Sequence, residues 1–282
     1  MSNADAIYQT LLADTLNRGD RLMTRNSPCY SLIDAPHIVF DRTPLVTLKK
    51  TAARKAIREM EWFLSGDSQC PPELLDWWDG QLYYVNSNEG YYYYGYAHQF
   101  RDFGGCGYVD GFDLSGRDQV KKLIIGIKEH PHSRRNVMTT WHPEEMALIA
   151  EHNNNPNTPA TCHGTIIQAF VRKGELSLKT YQRSADLILG VPHNWIQYWA
   201  LLLWLCNQCD LAPDRLLWMF GDAHIYDEPS HLEVANAIIN APHRKSGIEL
   251  QYSGDKADFN TSDFRWVGIP PEPVTRVRAV RL

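Results

Sequence analysis

The sequence lacks the long hydrophobic runs and the excess of basic charge that mark two large classes of protein. A membrane-spanning helix needs about 18 or more consecutive apolar residues, whereas the longest apolar stretch, residues 195–206, is shorter and contains Gln197. Lysine and arginine total 28 against 33 acidic residues, which gives a net charge of −5. Because duplex-DNA-binding proteins usually present a basic face, we expect neither a membrane protein nor a nucleic-acid-binding protein.

Cysteines are also few, with six scattered through 282 residues. Cys206 and Cys209 have the spacing of metal ligands, but no second pair follows at the spacing of a zinc finger. Residues 1–20 are too polar for a secretory signal. We therefore expect free thiols, no metal and a cytoplasmic location.

Repeats, low-complexity linkers and the common nucleotide-binding loops are absent as well. The sequence contains neither a P-loop nor a Gly-x-Gly-x-x-Gly motif after a predicted strand. The two loop-rich stretches, residues 103–118 and 153–159, are too short to separate independent domains. We therefore predict a single domain over residues 1–282, whose core needs no disulfide or metal.

Hydrophobic periodicity predicts several helices and strands. Helices are expected over residues 4–17, 51–64, 118–130, 195–208 and 230–239. Strands are expected over residues 165–172, 176–182, 215–220, 248–252 and 263–267, the first two paired around Lys173-Gly174. This irregular alternation favours an α+β fold in which a mixed or antiparallel sheet packs against helices.

Cys162-His163 is the first pair of residues that suggests a catalytic role. The pair follows a proline-containing loop and precedes a predicted strand. An accessible thiol near cations has a lowered pKa and supplies thiolate, which is a nucleophile. The alternative is a small buried side chain beside a structural histidine.

Two basic segments suggest an anion site. They are Ser133-Arg134-Arg135 and Gln182-Arg183-Ser184. Guanidinium groups together with a serine hydroxyl suit a phosphate dianion. The alternative for the arginine pair is a solvated surface loop.

Two further segments suggest recognition of a base and a sugar. The amide of Asn194 donates and accepts at once, which matches the O4/N3 edge of uracil, although the segment from Asp186 also suits an Asx turn before a helix. His224 and Tyr226 alternate, so an extended chain presents both on one face, to a sugar hydroxyl or to each other. The tyrosine run at residues 91–96 suggests the wall of a ligand cleft, or a surface that stacks on single-stranded bases.

Read together and in this order, these segments resemble the thymidylate synthase family, which includes the pyrimidine deoxynucleotide hydroxymethylases. The blocks that carry the resemblance are spread over about residues 5–282: residues 44–47, 59–64, 133–135, 162–163, 182–186, 190–194 and 221–226. The resemblance implies the fold of that family and an obligate homodimer formed through the sheet. It also implies transfer of a one-carbon unit from the cosubstrate 5,10-methylenetetrahydrofolate to C5 of dUMP, without a metal.

The resemblance further implies roles in binding the nucleotide. Cys162 would add to C6 and make C5 nucleophilic, and Asn194 would read the base. His224 and Tyr226 would hold the 3′-hydroxyl. The remaining substrate-binding residues are on the phosphate side: Arg25 (or Arg21), Gln182, Arg183, Ser184 and, donated by the other subunit, Arg134 and Arg135.

The resemblance also implies which residues contact the folate and which transfer protons. Asp186 would contact the pterin and count among the catalytic residues. Glu59 would manage protons around O4 and the folate nitrogen, and His163 joins the catalytic group. Tyr94 or Tyr96 would remove the C5 proton, with Tyr94 favoured by its Tyr-Gly-aromatic-Ala context. Leu189, Gly190 and Trp78 are expected to face the folate.

Local departures from the synthase pattern favour a dUMP hydroxymethylase, in which water attacks the C5 methylene. His193 stands where synthases usually have phenylalanine, and residues 195–199 replace a small, polar stretch. Thymidylate synthase is the alternative, and dCMP hydroxymethylase is a further one that Asn194 disfavours. A hydroxymethylase of this kind would suit a bacteriophage that builds modified thymine DNA, and the location would then be the host cytoplasm. A non-catalytic nucleotide-binding relative is a hypothesis of a different class.

Overall fold

The computed structural model describes residues 3–24, 27–78, 83–86, 90–92, 95–104, 107–109, 112–114, 116–143, 165–244, 247–256 and 258–275. Of residues 83–86, 90–92, 107–109 and 112–114 it describes the backbone alone. Four of the predicted site residues lie outside these ranges: Arg25, Tyr94, Cys162 and His163.

The described part of the chain contains six α-helices, and five of them agree with the periodicity of the sequence. They are α1 (Ala4–Arg18), α2 (Ala53–Ser65), α3 (Tyr96–Arg101), α4 (Gln119–Glu129), α5 (Val191–Cys209) and α6 (Pro229–Ile239). The sequence did not predict α3, which has only six residues. Short 3₁₀ turns occur at Pro72–Leu74 and Thr261–Asp263.

The strands form one large sheet and three hairpins. The strands of the sheet are β1 (Asp20–Met23), β2 (Pro28–Leu32), β3 (Ile38–Phe40), β8 (Val137–Thr139), β9 (Thr165–Arg172), β10 (Glu175–Asp186) and β11 (Ala212–Tyr226). The hairpins pair β4 (Tyr83–Asn86) with β5 (Gly90–Tyr92), β6 (Gly107–Val109) with β7 (Phe112–Leu114), and β12 (Glu249–Tyr252) with β13 (Phe264–Val267). The stretch 103–118, which the sequence predicted as loop, therefore includes a short hairpin.

The seven-stranded sheet is mixed. Its order is β1-β2-β11-β10-β9-β8, and β3 pairs with another part of β11. β10 and β11 are parallel, while every other described pair in this sheet is antiparallel. The predicted α+β fold with a mixed sheet is therefore confirmed.

The hairpin of β9 and β10 forms as predicted. Lys173 and Gly174 both have positive φ, 54° and 79°, which a two-residue turn between twisted strands requires. The side chains of β9 alternate between buried and more exposed positions. One face of the sheet therefore packs against the core, and the other faces outward.

The prediction that a strand ends at Phe220 was wrong, because β11 continues through Gly221 to Tyr226. A Cβ at Gly221 would lie 2.5 Å from Oη of Tyr181 and 2.6 Å from the carbonyl oxygen of Arg183. Glycine here permits close packing of neighbouring strands and does not end the strand. As a result, Asp186 and His224 lie opposite each other in the parallel pair.

Helix α5 is buried between the sheet and α2. It contacts α2, β10 and β11, and its hydrophobic residues join a core that runs from Ala4 to Phe259. Trp62, Trp195 and Trp218 are among the largest fully buried side chains of this core. The packing brings the buried face of α2, the first turn of α5 and the carboxyl ends of β10 and β11 together.

Within the residues that the structure describes, no helix is long and apolar enough to cross a membrane. The same part of the chain contains no cluster of three or more side chains suited to bind a metal ion.

Candidate active site

Some of the residues predicted to bind the sugar, the phosphate and the folate meet at the carboxyl ends of two parallel strands. In the pairing of β10 with β11, Ser184 lies opposite Asp222, and Asp186 lies opposite His224. On the other side of β10, Gln182 pairs with Thr165, the first residue of β9. Because strands of a parallel pair end at the same edge, these side chains, which lie far apart in the sequence, share one end of the sheet.

A series of hydrogen-bonded side chains leads from this edge of the sheet to the buried side of α2. Nε2 of Gln182 donates to Oδ1 of Asn194 at 3.2 Å, and Nδ2 of Asn194 donates to Oε1 of Gln197 at 3.3 Å. Nε2 of Gln197 donates to Oε2 of Glu59 at 2.7 Å, and Nε1 of Trp78 donates to Oε1 of Glu59 at 2.6 Å. We call this series the amide line: Gln182, Asn194, Gln197, Glu59 and Trp78.

Glu59 is a buried carboxylate among aromatic rings. Phe63 follows it by one turn of α2 and stacks on Tyr96, with ring centroids 4.4 Å apart and an interplanar angle of 22°. Trp78 meets both of these rings edge-on, at 6.0 and 6.3 Å. The hydrogen bonds from Trp78 and Gln197 compensate Glu59 for the water that it loses on burial.

Asp186 holds the loop between β10 and α5. Its Oδ1 accepts hydrogen bonds from the backbone N–H groups of Ile188 and Leu189, at 2.8 and 2.9 Å. This is the Asx turn that the sequence offered as the structural alternative for the segment from Asp186. Gly190 then donates to the carbonyl oxygen of Asp186 at 3.1 Å and begins α5. Three of the four residues expected to contact folate, Asp186, Leu189 and Gly190, therefore sit on one constrained turn.

Lys49 lies beneath the same turn. Its Nζ donates to the carbonyl oxygen of Ile188. Burial lowers the pKa of Lys49 to about 8, although the negative charge of Asp186 acts in the opposite direction. The side chains of Asp186 and Lys49 therefore both hold this turn through hydrogen bonds to its backbone.

His193 connects this turn to α2. Its Nε2 accepts a hydrogen bond from the backbone N–H of Ala52 at 3.1 Å, so Nδ1 carries the proton and donates to the carbonyl oxygen of Leu189 at 2.6 Å. Ala52 has no capping side chain of its own, and His193 supplies the acceptor that a helix N-terminus needs. The ring of Trp77 meets the His193 ring edge-on at 4.8 Å.

His224 and Tyr226 lie close together, as the alternation of residues on β11 predicts. Their ring centroids are 5.2 Å apart at 75°. Nδ1 of His224 is 3.5 Å from Oδ2 of Asp222, and the hydroxyl of Ser31 donates to Oδ1 of Asp222 at 2.7 Å. Asp222 thus connects the histidine to β2.

The surroundings of His224 and Asp222 favour the charged form of each side chain. Burial lowers the pKa of His224, but the neighbouring carboxylates of Asp222 and Asp186 outweigh burial and raise this pKa above its ordinary value. Burial raises the pKa of Asp222, but the nearby His224 ring and the hydrogen bond from Ser31 outweigh burial and lower the net pKa.

The predicted phosphate residues occupy different positions. The guanidinium of Arg183 lies over the ring of Trp141, 4.8 Å from its centroid. Arg134 and Arg135 are exposed on the turn before β8; in the described part of the chain neither forms an ion pair. Arg21, the alternative to Arg25, donates from Nε to Oδ2 of Asp227 at 2.6 Å.

Sequence reasoning missed two residues of this site, Gln197 and Asp222. Gln197 was noted only as an interruption of a hydrophobic stretch. The available signal was its spacing, because a residue three positions after Asn194 lies on the same side of a helix. Asp222 lies within the block of residues 221–226, but the sequence predicted no role for it.

Two other cysteines are unsuited to nucleophilic chemistry. Burial raises the pKa of Cys206 to about 12 and that of Cys209 to about 11. Both thiols are therefore protonated near neutral pH.

Comparison with known proteins agrees with this geometry. The model of the family described as thymidylate synthase matches residues 6–280. A thymidylate synthase of human herpesvirus 8 is 32% identical over 292 residues, an alignment that covers 96% of this chain and 82% of that protein. A thymidylate synthase of Corynebacterium aurimucosum is 31% identical over 285 residues, which cover 96% of both chains.

The chain is also similar to a longer plant protein. A bifunctional dihydrofolate reductase-thymidylate synthase of Arabidopsis thaliana is 32% identical over 244 residues, covering 81% of this chain but 45% of that protein. The chain thus matches less than half of the plant protein. The match over nearly all of this sequence shows that the chain belongs to the thymidylate synthase family.

Proposed function

We propose that the chain transfers the one-carbon unit of 5,10-methylenetetrahydrofolate to C5 of dUMP. The observation that carries this proposal is the amide line, which joins a base-reading amide, Asn194, to a buried carboxylate, Glu59, beside the ends of β10 and β11. Membership of the family supplies the reaction class, and the line supplies groups suited to hold a pyrimidine edge.

Cys162 is the proposed nucleophile. It precedes Thr165 by three residues in the sequence, and three residues span at most about 11 Å. Thr165 pairs with Gln182, the first member of the amide line. Bond formation between the thiolate and C6 of the base would place an electron pair on C5, which becomes nucleophilic.

The nucleotide would lie along the amide line and the ends of the strands. Asn194 suits the O4/N3 edge of uracil, and His224 with Tyr226 suits a ribose hydroxyl. Arg183 and Ser184, with Arg25, suit the phosphate. Glu59 is proposed to exchange protons with the base and the folate, and Tyr94 or Tyr96 is the proposed base at C5.

The residues beside the turn of Asp186 suit a pterin. Oδ2 of Asp186 accepts no hydrogen bond within the described part of the chain, and it suits the N–H groups of such a ring. Leu189, Gly190 and Trp78 would provide apolar contacts. The folate supplies the one-carbon unit when bound; these side chains orient it and exclude water.

For the last step we favour the methyl product of a thymidylate synthase, because the relatives that align with 96% of this chain carry that name. A hydroxymethyl product is the second candidate. It is favoured by His193, whose polar ring links Leu189 to Ala52 where synthases usually have phenylalanine. The bacteriophage source and the modified DNA base depend on that second candidate and remain predictions, as does the cytoplasmic location.

We further propose that the active unit is a homodimer formed through the outer face of the sheet, with one domain per chain. Arg134 and Arg135 would then reach the phosphate site of the partner. The outer face carries two rows of side chains that cross neighbouring strands: Val39, Leu217, Lys179, Gln168 and Val137, then Met219, Tyr181, Ile166 and Thr139. Val137 and Ile166 are 41% and 42% exposed, so this face presents apolar surface that a second copy would cover.

Asn194→Asp tests the proposed role of Asn194 in reading the base. A carboxylate accepts from N4 of cytosine but repels O4 of uracil, so the variant should shift the preference from dUMP toward dCMP by about tenfold or more. The measurement is kcat/KM for each nucleotide. An unchanged preference for dUMP in an active variant would contradict the assignment.

A further inference from the structure

We propose that Gln197 is a specificity-determining positioning residue, which fixes the direction of the Asn194 amide and thereby selects uracil over cytosine. The inference rests on the proposed function, because it concerns the nucleotide site described above. Gln197 is almost fully buried in α5, one turn after Asn194. Its two amide atoms contact two different members of the amide line.

The direction of the Gln197 amide follows from the chemistry of Glu59. An ionised carboxylate only accepts hydrogen bonds. With Glu59 ionised, the group of Gln197 that lies 2.7 Å from Oε2 of Glu59 must therefore be the NH₂ group. Its carbonyl oxygen, Oε1, then faces Asn194.

The direction of the Asn194 amide follows in turn. A carbonyl oxygen also only accepts, so the NH₂ group of Asn194 must face Oε1 of Gln197, at 3.3 Å. Oδ1 of Asn194 is left facing the NH₂ group of Gln182, at 3.2 Å. Rotation of the Asn194 amide by 180° would set oxygen against oxygen at Gln197 and nitrogen against nitrogen at Gln182.

This fixed direction distinguishes the two bases. The NH₂ group of Asn194 has a second hydrogen for an acceptor, and Oδ1 has a second lone pair for a donor. Uracil presents an acceptor at O4 beside a donor at N3. Cytosine presents a donor at N4 beside an acceptor at N3, so it requires the opposite direction of the amide. A free asparagine could serve both bases, whereas an asparagine held by Gln197 serves uracil.

Gln197→Met tests the inference, because methionine keeps the length of the side chain and removes both hydrogen-bonding atoms. The matched control is Gln9→Met, since Gln9 is also a buried glutamine, donating to the carbonyl oxygens of Ile238 and Ala241 at 2.9 and 2.8 Å. Calorimetry would give the Kd of dUMP and of dCMP for the wild type and for both variants.

The wild type should prefer dUMP by about 100-fold or more. Gln197→Met should reduce the ratio of the two Kd values by about tenfold, as expected for the loss of one buried hydrogen bond, while Gln9→Met keeps the ratio within about twofold. A ratio in Gln197→Met equal to that of the wild type, including equal weakening of both nucleotides, would overturn the inference. A wild type that binds neither nucleotide would instead refute the proposed function.

Discussion

His224 and Asp222 make part of the site sensitive to pH at the scale of single residues. The buried imidazole lies 3.5 Å from a carboxylate that also accepts from Ser31. The raised pKa of His224 stabilises the native state at pH values below its unfolded pKa of about 6.5. The lowered pKa of Asp222 stabilises it above an unfolded pKa of about 3.9. The contribution is therefore complete between about pH 4 and pH 6.5.

Asp222→Asn should decrease the free energy of unfolding by up to about 1 kcal/mol at pH 6, since the pair is partly exposed at Asp222. The deficit should shrink as the pH rises through the pKa of His224, because a neutral imidazole gains little from the carboxylate. Urea unfolding at pH 6 and pH 9 measures both values. The exposed Asp20→Asn should show no such trend, and a deficit of equal size at both pH values would contradict the assigned pairing.

Single residues also show where sequence reasoning reaches its limit. Glu59, Asn194 and Trp78 were predicted, and the structure joins them through one hydrogen-bonded line. Gln197 was missed because periodicity indicates which side of a helix is buried, and it does not indicate which buried groups bond to each other. Its partner Glu59 lies on α2, far away in the sequence.

At the scale of elements, the site depends on the course of β11 past Gly221. The backbone of β11 approaches β10 closely at Gly221, and the register sets Asp222 opposite Ser184 and His224 opposite Asp186. A side chain at this position would push the two strands apart. The geometry of the sugar and phosphate residues therefore depends on the absence of a Cβ.

Gly221→Ala should destabilise the protein by about 1–3 kcal/mol, because the added methyl group meets the backbone of Arg183 and the hydroxyl of Tyr181. The matched control is Gly247→Ala, where nothing lies within 4 Å of the added carbon; its change should stay within about 0.5 kcal/mol. Denaturant unfolding of both variants provides the comparison. Equal stability of the two variants would show that the strands relax without cost.

Strong periodicity made most elements predictable, and its absence explains the others. Helix α5 and the hairpin of β9 and β10 were predicted, since each combines a buried face with clear turn residues, although α5 begins at Val191 and β10 continues to Asp186, beyond the predicted bounds. The strands β1, β2, β3 and β8 have three to five residues each, too few to show a period. The glycine in β11 resembled a turn signal.

At the scale of the whole molecule, the sheet has one buried and one outward face. The inner face packs on α5 through fully buried residues such as Ile167, Leu178 and Trp218. The outer face keeps Val39, Val137 and Ile166 more than a third exposed. Burial of these rows by a second copy would remove apolar surface from water, which stabilises association. The resemblance predicted this dimer, which no periodicity in the sequence could indicate.

Ile166→Asp should convert the proposed dimer into a monomer, because it places a charge in the middle of the outer face without touching the core. Ile269→Asp is the matched control, since Ile269 is 92% exposed and lies outside the sheet. Light scattering after size-exclusion chromatography gives the masses of both variants. A wild type that is monomeric at micromolar concentration would contradict the dimer directly.

The most direct test of the account is product mass spectrometry after incubation with dUMP and 5,10-methylenetetrahydrofolate. The absorbance of dihydrofolate would be followed in parallel, and Cys162→Ser would serve as the control that binds nucleotide without turnover. We predict a nucleotide modified at C5, with a methyl group and dihydrofolate as the favoured products. A hydroxymethyl group with tetrahydrofolate would select the second candidate. Unmodified dUMP, or equal turnover by Cys162→Ser, would contradict the central claim.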